Sequence, residues 1–416
     1  MRLGGAALVL GLVVATGGVA PTATQPAAPA RIGEVLPAWT PGTLDIHQIA
    51  TGRGNSALLI YPDGTTLLID AGDAGPTAYA DPRPDGSRPP AEWIARYVTH
   101  MTAGRDARLD YALVTHFHPD HIGVITGKEP MSKTGDYRLS GITDVGDRLP
   151  IGTLIDRGYD YQPPPASDQM FANYRRFLDA QVSTRHLQVV HASPGRTDQL
   201  APQHGGATSA PFAVRIIAAN NLIWTGQGDA ARVRFPPLDQ IPMADDRPNE
   251  NMCSIALRVS YGKFDFFTGG DMPGYPVPGA PAWHDLETDV AKVIGPTDVH
   301  IVNHHGSIEE ENPFFLATLK SRVMIVPAWA ATHPSPDVLK RMLATRVYPD
   351  PRDIFILEFR EATKATIGAR ANQVASDHGH VVVRVEPGGD RYWVLVLDDL
   401  SESYRVTSVH GPYSSQ

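Results

Sequence analysis

"VTHFHPDHIG", residues 114–123, places three histidines and an aspartate within six positions, directly after the apolar run "YALV". Alternate residues of an extended chain share a face, so His116 and His118 point the same way. Pro119 biases His118 away from helical dihedrals, and Asp120 and His121 then begin a helix. A strand-to-helix corner of this kind aims four side chains at one small volume. Crowded imidazoles and carboxylates repel one another or stay unpaired unless a divalent cation joins them, and this donor set suits zinc, manganese or iron.

Four donors hold one metal incompletely, or leave two metals in need of further ligands, and later strand ends offer them. "FDFFTGGD" delivers Asp271, with Gly269 and Gly270 permitting close backbone approach. "DVHIVNHHGS" delivers His304 and His305. Only one of two adjacent side chains on an extended strand faces a given side, so one is expected to be a ligand and the other to face the substrate or support the site. His333, in "ATHPSPDV", is either a substrate contact or proton donor, or a loop histidine fixed by Pro334. Asn251 and Ser254 are expected to support the metal loop by hydrogen bonds, although Ser254 could be only structural. His47, His100, His186, His191, His204 and His410 read as ordinary surface or core residues. His378 and His380, in "DHGHVVVRV", belong to a late turn and strand.

Outside these motifs, short β-rich runs such as "SALLIYP", "TTLLIDAG" and "RVMIVPAW" alternate with helical stretches such as "PPAEWIARYVTHMT", "ANYRRFLDAQVS" and "SPDVLKRMLATR". Asp63-Gly64 marks a hairpin, and Ser335 is a helix N-cap with Pro336 at the first helical position. The pattern predicts an α/β domain of two sheets covered by helices, spanning residues 31–416. Residues 127–165 and 192–250, rich in Gly, Pro and Asp, are expected to be long loops that form lids or substrate walls.

The chain has 416 residues and a formal net charge of -9, which lacks the basic excess that drives strong nucleic-acid binding. Residues 1–30 join a positive start, an apolar stretch and an Ala/Pro/Thr tract, the pattern of a secretory signal and stalk. Secretion or a periplasmic location is therefore expected, with membrane contact only through an uncleaved N-terminal segment. Cys253 is the only cysteine, which excludes an internal disulfide.

"THFHPDHIG" as H-x-H-x-D-H, "LLIDAG" with Asp70, "TGGD" with Asp271 and "NHHGS" with His304 and His305 together resemble the metallo-β-lactamase superfamily. The resemblance covers roughly residues 44–400 and implies a four-layer αββα sandwich with a dinuclear site at one edge of the sheets. It implies His116 and His118 on a first metal, Asp120 and His121 on a second, and Asp271 between them. His305 is then the last ligand of the second metal and His304 lies next to the substrate, the opposite assignment remaining open. Asp70 would hold the ligand loop by hydrogen bonds. The broad superfamily has a further histidine on the first metal, and "NENMCSIALRV" offers none, which implies a more open first position.

The later motifs, "ENMCSIALRV", "NHHGS" and "HPSPDVLKRM", resemble the branch containing the hydrolase domain of the competence protein ComEC and secreted phosphorylcholine esterases. That branch implies phosphodiester chemistry. Two divalent ions, with zinc the first expectation, would lower the pKa of a bridging water and so supply hydroxide at neutral pH. The expectation is a secreted metal-dependent hydrolase acting on a small molecule or an envelope polymer, with Asp120, His304 and His333 as candidate catalytic groups. Hydrolysis of a carboxyl ester, lactone or lactam is the alternative, and a non-catalytic metal- or ligand-binding domain is the alternative of another class.

Overall fold

Strands buried on both faces need mostly apolar residues, and "ALLI" and "TLLI" read that way, whereas "LDIHQ" alternates and carries buried polar side chains. In the computed structural model the first half forms β1 (Leu44–Gln48), β2 (Ala57–Ile60), β3 (Thr66–Ile69), β4 (Leu109–Leu113), β5 (Ile151–Asp156) and β6 (Gln188–His191). Helices α1 (Pro90–Met101), α2 (Pro119–Ile122), α3 (Ile142–Arg148) and α4 (Gln169–Arg185) lie among them. The structure describes Met1, Gly4 and residues 28–416 apart from 78–79, 166, 206–207 and 276. The expected signal segment and stalk fall almost wholly outside the described residues. Among the described residues no helix is long and apolar enough to cross a membrane.

The second half adds β7 (Phe212–Ala219), β8 (Leu222–Trp224), β9 (Ala231–Val233), β10 (Ala256–Tyr261), β11 (Phe264–Thr268), β12 (Val299–Ile301), β13 (Val323–Val326) and β14 (Asp353–Ile356). With them come α5 (Leu286–Ile294), α6 (Pro313–Leu319), α7 (Pro336–Leu343) and α8 (Glu361–Ile367). Finally β15 (His380–Val385), β16 (Arg391–Leu397) and β17 (Val406–Ser414) close the chain. One sheet runs β17-β16-β15-β1-β2-β3-β4-β5-β6 and the other β14-β13-β12-β11-β10-β7-β8-β9. β2 and β3 pair antiparallel across the expected Asp63-Gly64 turn, whereas β3 and β4 pair parallel through the crossover helix α1.

Leu59, Leu67, Ile69 and Leu113 of the first sheet share one buried cluster with Val259, Phe266, Ile301 and Ile325 of the second. Their neighbours on the opposite faces, Leu58, Leu68 and Ala112, pack against Ile94, Val98 and Phe177 of the helices. On the far side of the second sheet, Phe267 meets Val290 and Phe315, and Met324 meets Val338 and Leu339. Helix, sheet, sheet and helix thus form the four layers of an αββα sandwich. Each fully buried aliphatic or aromatic side chain contributes roughly 1.5–3 kcal/mol against its exposed state, so these clusters hold the layers together.

The two expected loops are not loops throughout. Residues 127–165 contain α3 and β5, and residues 192–250 contain β7, β8 and β9. Their Gly, Pro and Asp content marks the connections, but "IGTLID" and "FAVRIIAA" are apolar enough to join the sheets, and packing decides. The parallel alignments of β3 with β4, and of β11, β12 and β13 with one another, bring their carboxyl ends to one edge of the sandwich. The histidine and aspartate motifs follow those ends.

Candidate metal centre

The H-x-H-x-D-H corner forms as its sequence requires. His118 is extended (φ -79°, ψ 156°) before Pro119, which opens the short helix α2 carrying Asp120 and His121. Gly72 lets the preceding loop run against this corner, since a Cβ there would lie 1.8 Å from the Asp120 carbonyl oxygen. Gly270 (φ 58°) performs the same service below Asp271, where a Cβ would lie 3.0 Å from Ser254 Oγ. Ser254 Oγ in turn accepts the Asp271 N–H at 3.1 Å. Ser254 thus hydrogen-bonds the backbone of the Asp271 turn.

Two groups of donor atoms result, each with all its atoms within 4.8 Å of one another: Asp120, His121, Asp271 and His305, and His116, His118 and Asp271. Asp271 Oδ2 stands between them, 3.1 Å from His121 Nε2, 3.6 Å from His305 Nε2 and 3.7 Å from His116 Nε2. Asp120 Oδ2 lies 3.1 Å from His305 Nε2. The second group has three donors, in keeping with the absence of a histidine from "NENMCSIALRV".

The donor chemistry fits divalent cations. His116 Nε2 and His121 Nε2 are buried without a hydrogen-bond partner, a costly arrangement unless their lone pairs serve a ligand. Their other nitrogens are occupied. His121 Nδ1 lies 2.7 Å from Asp70 Oδ2, which places a proton on Nδ1 and leaves Nε2 as the nitrogen that would meet a cation. Asp70 also accepts the Thr115 N–H and hydroxyl and the Asn55 amide, at 2.8–2.9 Å, so the carboxylate ties the end of β3 to the histidine corner. His305 Nδ1 lies 3.0 Å from the Pro327 carbonyl oxygen, which fixes its tautomer in the same sense. The two clusters are compatible with a dinuclear metal site.

Protonation reflects the crowding. Burial penalises charge on His116, and the neighbouring His121 adds repulsion, so its pKa falls well below the ordinary histidine value. Burial opposes charge on Asp271 too, yet the surrounding imidazoles hold its carboxyl well below the usual range. His121 responds in the opposite direction: despite burial, the carboxylates of Asp271, Asp70 and Asp120 raise its pKa well above normal.

His304 and His305 depart from the expected strand geometry. Both are left-handed, with φ 45° and 56°, in a 3₁₀ turn (Asn303–Gly306) beyond β12. Neighbours in this conformation need not diverge as they do on a strand, and His304 Nε2 also comes to 3.7 Å from Asp271 Oδ2. His305 is buried and belongs to the four-donor group, His304 is partly exposed, and both line a cleft of about 260 Å³ with Trp329, Thr332 and His333. Asn251 Nδ2 lies 3.4 Å from His304 Nε2, so Asn251 touches this histidine directly. His333 stacks on His305 with ring centroids 5.1 Å apart, and burial pushes its pKa down to about 3. His378 and His380 stay outside the site, as expected: His380 begins β15 and its Nδ1 accepts the Ala50 N–H.

Several positioning residues carry no sequence signal. Glu310 is fully buried, with Oε1 2.8 Å from His304 Nδ1. Glu250 Oε1 accepts the Phe117 N–H, between His116 and His118, at 2.9 Å. The same carboxylate receives Arg157 Nε and Nη2 at 2.8 and 2.7 Å, and the Arg157 guanidinium sits over the Phe117 ring. Arg157 and Glu250 lie in the stretches expected to be loops, Glu310 lies beyond them just after the His304/His305 turn, and a single Glu among many acids announces nothing.

Residues 50–126 match the metallo-beta-lactamase superfamily. The superfamily match runs from the end of β1 through the H-x-H-x-D-H corner and includes Asp70, while Asp271 and the His304/His305 turn lie beyond it. Among solved structures, the chain is similar to a mutant of the CmlA beta-hydroxylase, with 13% identity over 83% of this chain and 54% of that one and a TM-score of 0.36. It thus spans about half the length of that protein. A protein of unknown function from Enterococcus faecalis is similar at 9% identity, over 77% of this chain and 71% of that one, with a TM-score of 0.32. No curated protein matches the chain.

Proposed function

We propose that the protein is a metal-dependent hydrolase that cleaves a phosphodiester in the cleft beside Asp120, His304 and His305. The observation that carries the reading is the convergence of six side chains into two donor groups sharing Asp271, with His116 Nε2 and His121 Nε2 buried and unpartnered. His116, His118 and Asp271 would hold one cation, and Asp120, His121, Asp271 and His305 the other. When bound, two divalent cations lower the pKa of a water and draw charge from a substrate oxygen.

The chain's own groups have separable tasks. Asp120 Oδ2 stands at the cleft and can accept the proton of the attacking water. Glu310 holds Nδ1 of His304, so that His304 presents Nε2 to the leaving-group oxygen. His333 is kept neutral by burial and so suits a hydrogen-bonding contact with substrate better than a cationic acid. The phosphodiester class is supported by the resemblance of "ENMCSIALRV", "TGGD" and "NHHGS" to the ComEC and phosphorylcholine esterase branch. The positive and apolar N-terminal stretch supports an exported setting.

The test compares bis(p-nitrophenyl) phosphate, a lactone and a β-lactam on metal-loaded and chelator-stripped protein. The diester should be cleaved, and only with metal present. Hydrolysis of the carboxyl substrates alone overturns the phosphodiesterase reading, and full activity after metal removal overturns the mechanism. His305→Ala should lower metal content, whereas His304→Ala should keep the metal and lose turnover. Metal analysis giving the reverse would exchange their roles.

A further inference from the structure

The cleft above the metal centre has one wall that takes no part in ligation. Trp329, Ala330 and Thr332, between β13 and α7, stand beside Asp120, His304 and His305. Trp329 is partly exposed, yet its Nε1 is buried and has no hydrogen-bond partner among the described residues, so the part of the indole at the surface is carbon. Its ring is held edge-on to His305, with centroids 5.9 Å apart at 84°, and edge-on to His333, 5.5 Å apart at 76°. A backbone bridge from Ala80 to Ala330 ties the wall to the opposite loop, which keeps it in place next to the donor groups.

We propose that this wall selects an ester carrying an uncharged, flat, apolar group, which stacks on the carbon surface of Trp329. The inference rests on reading the cleft as an ester-cleaving site and adds the class of substituent. Three observations support it. The edge-on contact with His305 puts the indole beside the four-donor group, so a substituent resting on it belongs to the ester being cleaved. A cavity of about 150 Å³ holds one benzene. The cleft, at about 260 Å³, is therefore large enough for a phosphate with one ring. Among the described residues lining the cleft there is one carboxylate, Asp120, and no Lys or Arg, so the wall offers nothing to a second anionic group.

The experiment uses the metal-loaded full chain and measures binding of diphenyl phosphate and dimethyl phosphate by calorimetry, in wild type, Trp329→Ala and Trp329→Phe. Both probes carry one charge and differ in their rings. Wild type should bind diphenyl phosphate about tenfold more tightly than dimethyl phosphate, Trp329→Phe should keep most of that preference, and Trp329→Ala should lose it. Metal content should be the same in all three proteins, and a thermal melt establishes that each is folded. Equal affinity for the two probes in wild type, no binding of either, or a preference that survives Trp329→Ala overturns the proposal. Hydrolysis of bis(p-nitrophenyl) phosphate is measured in parallel: its absence, with the binding preference intact, would defeat the hydrolase reading while leaving the wall's selectivity standing.

Discussion

Asp45 and Asp271 are both buried carboxylates of this sandwich, and their surroundings are opposite in kind. Asp45 faces Arg384 across the β1–β15 ladder, and its two oxygens accept Nε and Nη2 at 2.8 and 2.6 Å. One charge meets one charge in a bidentate pair, and the account closes inside the protein. Asp271 Oδ2 is shared among His121, His305, His116 and His304 at 3.1–3.7 Å, and two of those imidazole nitrogens, His116 Nε2 and His121 Nε2, make no well-formed hydrogen bond among the described residues. The first arrangement fixes a strand register. The second leaves a deficit that a cation would fill, and such a deficit in a buried place is the physical mark of a site.

That contrast breaks most visibly at Asp271. Asp271→Asn should reduce metal content at both positions, because both donor groups use this carboxylate, and hydrolysis should fall with it by about three orders of magnitude or more. Mass-spectrometric metal analysis showing one position still filled would mean that the groups do not share it. At Asp45 the outcome should be the reverse: Arg384→Met should destabilise the fold by about 3–5 kcal/mol in urea unfolding, through an uncompensated buried charge, with metal content unchanged. Acid gives a milder form of the same test. Burial works against the charged form of Asp45, but Arg384 prevails and brings its pKa down to about 2, below the unfolded value. Its contribution of roughly 2 kcal/mol is therefore complete above about pH 4 and is lost as the pH falls toward 2. In Arg384→Met this increment of acid sensitivity should disappear from the stability–pH curve.

A smaller effect sharpens the comparison within the centre itself. Glu250→Gln weakens the charge that binds Arg157 and accepts the Phe117 N–H, so the spacing of His116 and His118 should loosen. Metal affinity at their position should fall about tenfold, while the four-donor position keeps its own. Stepwise metal titration separates the two, and an equal loss at both would show that Glu250 acts on the fold rather than on the corner.

The legible part of the protein was local. His116, His118, Asp120 and His121 lie on one strand-to-helix corner whose conformation Pro119 and chain alternation set, so the sequence could be read almost as geometry. For His304 and His305 only the assumed backbone was wrong, a strand where the chain turns left-handed. Residues 127–165 and 192–250 were misjudged because turn residues outweighed the short apolar runs of β5 and β7 between them.

By itself, then, the sequence determined the sheet-forming apolar runs, the ligand corner and the identity of the distant donors, since each depends on neighbours a few positions away. The tertiary structure alone decided that Asp271 and His305 meet that corner, that Glu250, Arg157 and Glu310 position it, and that Trp329 forms a wall beside it. Phe117 and Glu250 are 133 positions apart. Contacts of that separation exist only after the two sheets have packed and their parallel strand ends have come to a common edge.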